Sequence, residues 1–350
     1  MEKSNDIKGA RVLLLGGSGL LSGAAREAFL AAGCEVTVLS RGLKPLPPHA
    51  NLRALRADRR GAASLAAALS GERFDFTADF LAYDAADVEL LLGVPGFSPG
   101  RLAMISTGQV YLVTKDQRPP FAETASDAPV IPEPEKNTRD WHNWVYGMGK
   151  RAAEAALASG AAARSVPALA LRLPVVQGEA DGENSKRLWA WLQRLRDGGP
   201  VLLPDGGVQP VRFVYAGDAA RALLRLAGTA YWPELPALNL AQPSETTLRE
   251  FLELAAGCGG LQTRFVPVSG DTLLAAGLDG ACAPYWGRWC SRPDPAAALA
   301  LGFTARGLRE YLPGVVRAHL ENPPAAPHEG YARRAEELAL AAQLGFSARP

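Results

Sequence analysis

The sequence predicts an α/β fold: a doubly wound, mostly parallel sheet covered by helices on both faces, followed by a smaller C-terminal lobe. Three observations carry this expectation. Short apolar runs alternate with helix-patterned segments through the first half of the chain. A glycine-rich turn follows the first apolar run. Beyond residue 176 the alternation weakens, and Pro and Gly punctuate shorter elements.

Arg11-Val-Leu-Leu-Leu15 ends at glycine and reads as a buried strand. A helical pattern runs from Gly19 to Ala32 and stops at Gly33. Glu35 to Leu39 and Leu52 to Ala57 are the next strands, and residues 62–69 form an Ala/Leu helix. Phe74 to Leu81 is a fourth strand, residues 85–93 a helix, and Arg101 to Ser106 a fifth strand. Residues 112–140 hold five prolines and many charges, which predicts a long loop that covers a site. The helix from Trp141 to Ser159 and the strand from Ala168 to Leu173 follow. Phe213 to Tyr215, a helix from Asp218 to Leu226 and a strand from Ala237 to Leu240 are expected to return to the main sheet. The expected division is therefore residues 8–176 with 205–244 as a dinucleotide-binding domain, and 177–204 with 245–320 as a substrate lobe. Residues 321–350 form a linker, Pro-rich over 322–327, and an amphipathic terminal helix over 330–344.

Composition narrows the partners. The 350 residues include 37 Lys+Arg and 36 Asp+Glu, so no bulk charge favours nucleic acid or an anionic membrane. Cys34, Cys258, Cys282 and Cys290 form no CxxC pair, as expected of reduced thiols. His49, His142, His319 and His328 are scattered, so no metal site is expected. Met1 to Gly9 lacks the apolar run of a signal peptide, and no stretch of about 18 apolar residues suits a membrane span. A cytoplasmic protein is expected.

Tyr146 and Lys150 stand four residues apart within a predicted helix, and so on one face of it. An ammonium beside a phenol favours the phenolate and makes the tyrosine a proton donor and acceptor near neutral pH. Gly16-Gly17-Ser18-Gly19-Leu20-Leu21-Ser22-Gly23 joins the first strand to the first helix. Small residues there let a pyrophosphate approach the helix N-terminus. Gly16 and Gly19 fit a GxxGxxG spacing, with Ser22 in the third position. The second strand ends in Ser40-Arg41 rather than an acidic residue, so Arg41 is placed to pair with a 2′-phosphate and NADP is preferred over NAD. Asp58-Arg59 closes the third strand beside an expected adenine. Ser106-Thr107-Gly108-Gln109-Val110-Tyr111 ends the fifth strand, where ligands of open α/β sheets sit.

Taken in order, these elements resemble the extended short-chain dehydrogenase/reductase family, of the NAD-dependent epimerase/dehydratase type, across roughly residues 10–320. Arg172-Leu-Pro174 and Phe213-Val-Tyr-Ala-Gly-Asp218 belong to the same resemblance. It implies a Rossmann-type sheet, with Thr107 holding a substrate carbonyl oxygen and Tyr146 as acid/base. Lys150 then holds the nicotinamide ribose and lowers the tyrosine pKa. Gly16, Ser18, Gly19, Leu20, Leu21, Arg41, Asp58, Arg59, Leu81, Ala82, Pro174 and Val176 are expected around the cofactor, together with Tyr146 and Lys150. Tyr83, Gly108, Gln109 and Trp144 are expected at the substrate. Trp141 and His142 lie near the same wall, with helix packing as the alternative for the tryptophans and a solvated side chain for His142.

Departures from the family pattern narrow the chemistry. The 4,6-dehydratases carry Asp-Glu after the catalytic Thr; this chain has Gly108-Gln109, which cannot transfer a proton. Sugar-nucleotide epimerases carry an Asn after the sixth strand, where this chain has Val175-Val176-Gln177-Gly178-Glu179. Their diphosphate-gripping Arg corresponds to Val211, with Arg212 one residue away. The expectation is an NADP-dependent oxidoreductase acting on a carbonyl or hydroxyl of a small molecule. The alternatives are an epimerase that oxidises its substrate transiently with bound NAD, and a non-catalytic dinucleotide- or RNA-binding relative. The resemblance also implies homodimers, paired through the helices after the fourth and fifth strands.

Overall fold

Seven strands in the order 7-6-5-4-1-2-3, all parallel, form the central sheet of the computed structural model, which describes residues 7–183, 185–230 and 232–346. Residues 1–6, at the start of the expected leaderless N-terminus, and 347–350 of the expected terminal segment lie outside the described residues. The first six strands are β1 (Arg11–Leu15), β2 (Glu35–Ser40), β3 (Leu52–Arg56), β4 (Phe76–Asp79), β5 (Arg101–Thr107) and β6 (Ala168–Leu173). Ala237–Asn239 adds the seventh, paired parallel with β6. The helices between them are α1 (Leu20–Ala31), α2 (Ala62–Leu69), α3 (Ala85–Leu92), the single-turn α4 (Gln109–Leu112) and α5 (Arg139–Ala163).

The sheet is buried on both faces, which is why its strands read as continuous apolar runs. Phe29 of α1 and Leu223 of the helix Ala216–Gly228 cover one face, against Val12, Leu14 and Val36. On the other, Leu157 of α5 and Val88 of α3 pack on Leu102 and Met104, while α2 adds Leu65 and Leu69 against Leu13 and Leu15.

Several boundaries differ from the sequence expectation, each for a local reason. β4 ends at Asp79, two residues early, because its own carboxylate accepts the Leu81 N–H at 2.8 Å and turns the chain. α5 begins at Arg139 rather than Trp141, since the Thr138 hydroxyl caps it by accepting from the Trp141 N–H at 3.1 Å. Phe213–Tyr215 stays outside the seven-stranded sheet.

The expected covering loop, residues 112–140, is instead an anchored segment. Phe121 is buried and stacks on Tyr111, with ring centroids 5.2 Å apart. Thr114 and Val130 form an antiparallel bridge, and Glu123–Asp127 is a turn of 3₁₀ helix.

The chain divides into two compact units. The first comprises 1–176, 214–241 and 292–305, the second 177–213, 242–291 and 306–350. Residues 205–213 and 242–244 thus belong to the second unit rather than the first. Residues 292–305 belong to the first, because the Phe121 N–H bonds the Arg292 carbonyl at 2.9 Å. The terminal segment from 321 is no appendage. In the second unit Arg194 donates to both Glu337 oxygens, at 2.8 and 2.5 Å, which staples the helix Arg334–Gln343 to the helix Arg187–Arg196.

Candidate active site

α5 carries Tyr146 and Lys150 on one face, and the helix comes close to the segments after β4 and α4 because two of its residues lack side chains. A Cβ at Gly147 would lie 2.7 Å from Val113 Cγ1, and one at Gly149 would lie 2.6 Å from the Tyr83 carbonyl oxygen. Tyr146 is 38% exposed and Lys150 only 3%. The Lys150 ammonium donates to the Ala82 carbonyl at 2.6 Å and to the Ile105 carbonyl at 2.8 Å. It also lies 4.9 Å from the centre of the Tyr83 ring, which itself stands 6.4 Å from the Tyr146 ring. Burial pushes the Lys150 pKa down to about 8, against the upward pull of Asp79 and Glu154. Tyr83 is 45% exposed and leaves an aromatic surface beside the phenol.

Thr107 ends β5 half-buried, and its hydroxyl oxygen accepts the Gln109 N–H at 3.2 Å. Gly108 is spent on structure, its N–H bonding the Leu173 carbonyl at 2.8 Å. Gln109 corrects the expectation of a substrate contact. Its amide donates to Asn143 Oδ1 at 2.8 Å and ties α4 to α5. Trp144 is half-buried on α5, and Trp141 donates to Glu133 at 2.8 Å beside exposed His142.

The glycine turn packs closely against β2 and the loop after β4, leaving little room for a side chain at Gly16 or Gly17. Gly16 has φ +94°, in the region that favours glycine, and a Cβ on Gly17 would lie 2.6 Å from Val38 Cγ1. Ser18 is exposed at its tip, and Gly19, Leu20 and Leu21 open α1, whose first-turn N–H groups lack intrahelical partners. Ser22 is buried and accepts the Gly19 N–H at 3.1 Å. A pyrophosphate at a helix N-terminus fits this donor set. Arg41 is exposed after β2, and Asp58 is exposed after β3 with one carboxylate oxygen accepting the Arg60 N–H at 3.0 Å. Pro174 is buried and Val176 half-buried after β6.

Arg59 corrects a second expectation. It is turned inward, 7% exposed, and donates to both oxygens of Asp79 at 2.7 and 2.9 Å and to the Asp87 carbonyl at 2.6 Å. It braces the loop holding Leu81, Ala82 and Tyr83 rather than facing an adenine. Arg212, weighed as a diphosphate grip, pairs with Glu245 at 3.4 Å within the second unit.

A polar network beneath the site has no counterpart among the sequence expectations. Glu154, two turns beyond Tyr146 on the same face of α5, pairs with Arg172 at 2.6 Å and accepts from the Ser106 hydroxyl at 2.5 Å. Arg172 also donates to the Tyr111 hydroxyl at 3.0 Å and to the Glu123 carbonyl at 2.7 Å. Tyr111 donates in turn to Asn239 Oδ1 at 2.6 Å. Burial opposes the Arg172 charge, yet hydrogen bonding and attraction from Glu154 hold its pKa above the ordinary value. Burial raises the Tyr111 pKa to about 12, so that hydroxyl stays a donor. The spacing of Tyr146, Lys150 and Glu154 was the available signal.

Among the described residues no cluster of His, Cys, Asp and Glu suits a metal ion, and no helix is long and apolar enough to cross a membrane.

A doubly wound parallel sheet, a glycine turn opening its first helix, and a Tyr/Lys helix against its fifth strand give the chain a Rossmann-type fold. Residues 96–233 match the model of the NAD dependent epimerase/dehydratase family. The curated 2'-dehydrokanamycin reductase of Streptomyces kanamyceticus is 29% identical over 219 residues, 62% of this chain and 57% of the relative. The chain thus aligns with little more than half the length of that relative. The UDP-glucose 4-epimerase of Thermotoga maritima, solved with UDP-glucose, has TM-score 0.68 at 20% identity, covering 89% of this chain and 99% of that one. The Bordetella bronchiseptica enzyme WbmH, solved with NAD+, has TM-score 0.65 at 18% identity over the same shares of each chain. At such identities the likeness is one of fold.

Proposed function

We propose that this protein is an NADP-dependent reductase of a small-molecule carbonyl. The observation that carries the reading is the α5 face on which half-exposed Tyr146 stands one turn from buried Lys150. When bound, the nicotinamide supplies or accepts the hydride. The protein's own residues supply position and the proton. Tyr146 gives its phenolic proton to the carbonyl oxygen as the carbon is reduced. Thr107 donates a hydrogen bond to the same oxygen. Lys150 favours the phenolate that remains, and its two carbonyl partners keep the ammonium from drifting to solvent.

The residues of the glycine turn hold the pyrophosphate, Asp58 meets the adenine edge, and Arg41 pairs with a 2′-phosphate. The relative named for reducing 2'-dehydrokanamycin supports the reductase direction. The absence of proton-transferring side chains at Gly108 and inward-turned Gln109 argues against dehydration.

Tyr146→Phe tests the assignment. Turnover should fall by about 10²–10⁴-fold, with NADPH affinity, measured by quenching of protein fluorescence, near that of wild type. Wild-type turnover in that variant sinks the assignment. Stoichiometric loss of NADPH absorbance on adding a ketone separates reduction from epimerisation, which consumes none.

A further inference from the structure

Lys150 is held from outside α5, and the residues that hold it lead away from the site to a buried ion cluster. Asp79, Asp87 and Arg59 are 2%, 1% and 7% exposed. Arg59, in the turn after β3, grips both oxygens of Asp79 at the end of β4. Its Nη2 donates to the Asp87 carbonyl at 2.6 Å, and its Nε lies 3.4 Å from Asp87 Oδ1. Each carboxylate then fixes one amide of the loop between them. Asp79 Oδ1 accepts the Leu81 N–H at 2.8 Å, and Asp87 Oδ2 accepts the Tyr83 N–H at 2.7 Å. Between those two pinned amides lies Ala82, whose carbonyl takes the Lys150 ammonium at 2.6 Å.

We propose that Arg59 and Asp79 are positioning residues for the Tyr146/Lys150 pair: their buried cluster sets the loop that presents the Ala82 carbonyl and the Tyr83 ring to Lys150, and Asp79 is the lysine's counter-charge. A carboxylate at the end of a fully buried strand is costly unless paired. Here it has a cation on one side and, three residues on, the carbonyl that holds a second. The groups facing Lys150 are Asp79 from β4, Asp87 from α3, Arg59 from the turn after β3, Tyr83 from the loop, and Glu154 and Tyr146 from α5. Asp79 is the strongest of the charges that favour the ammonium, whereas Arg59 disfavours it.

This rests on the reductase reading only for its catalytic consequence; the geometry is independent of it. The test is therefore a lysine titration that needs no substrate. Protein labelled at lysine 13Cε is titrated by NMR, with the Lys150 signal assigned through Lys150→Arg. Asp79→Asn removes the counter-charge while keeping a similar shape, and should displace the Lys150 titration toward acid by about one pH unit. Arg59→Gln removes an opposing cation and should displace it toward alkali. Arg59→Lys should restore it.

A structural role alone predicts the same sign for both neutral variants, because a loosened loop admits water and returns the lysine toward 10.5. An alkaline or absent displacement in Asp79→Asn overturns the proposal. Should that variant not fold, an unmoved or acid-displaced titration in Arg59→Gln overturns it equally. If the displacements have the expected signs but Tyr146→Phe leaves turnover unchanged, the positioning stands and the reductase reading fails.

Discussion

Both units bury ion pairs, and they use them differently. In the first, Arg59–Asp79 stands three residues before the Ala82 carbonyl that holds Lys150, and Arg172–Glu154 stands one turn beyond Lys150 on α5. They close loops and strand ends around Lys150. In the second, Arg194–Glu337 and Arg334–Asp197 join helices within that unit. Breaking a buried pair by removing one partner is costly wherever it occurs. On the proposed function, the cost should reach turnover only where the pair borders the site.

Glu337→Ala is the largest break in the second unit. It leaves Arg194 buried without its carboxylate and should destabilise by about 3–5 kcal/mol in urea unfolding. The rate per folded molecule should stay near wild type. Glu154→Ala should cost comparable stability and also lower kcat by about tenfold, since it frees Ser106 and Arg172 beneath α5. Equal catalytic effects in the two variants would erase the distinction between the units.

A pH profile sharpens the same contrast. The Lys150 ammonium persists below about 8 and is lost as pH rises through that value. Reduction should therefore decline on the alkaline side with an inflection near 8. Because the folded pKa lies below the ordinary 10.5, the unfolded chain binds more protons between those values. Lys150 thus makes the fold more stable, not less, as pH rises from about 8 to 10.5. A flat rate between pH 7 and 9 excludes it from turnover.

Arg41→Ala acts at the rim and should weaken NADPH binding by about tenfold while sparing NADH, read by direct titration of each. Two helical glycines set a close approach against open space, and the open one carries the smallest expected change. Gly149→Ala drives a methyl to within 2.6 Å of the Tyr83 carbonyl and should impair both stability and rate. Gly257→Ala, on the helix Leu248–Cys258 with nothing within 4 Å of its added methyl, should raise stability by about 0.5–1 kcal/mol.

The sheet and the Tyr146/Lys150 pair are legible in the sequence because burial on both faces and helical spacing write directly into residue pattern. Strand ends are less so. Asp79 terminates β4 through a bond from its own side chain to the backbone, which no periodicity records. Arg59 shows the same limit: its position at a strand's carboxyl end predicts a ligand contact, whereas its orientation depends on two carboxylates 20 and 28 residues away. The anchoring of 112–140 was hidden for a similar reason. Its prolines and charges suggest mobility, and its partners Arg172, Asn239 and Arg292 are remote in sequence.

Asn239 has one more consequence. Its outward N–H is taken by Glu123 Oε1 at 2.8 Å, and its side chain by the Phe121 carbonyl at 2.9 Å. One rim of the sheet is thereby covered by the chain's own 121–123 segment. The opposite rim, β3, carries exposed Arg53 and Arg56. A covered amide on one rim and charged side chains on the other are both features that oppose strand addition, a route from a sheet edge to aggregation.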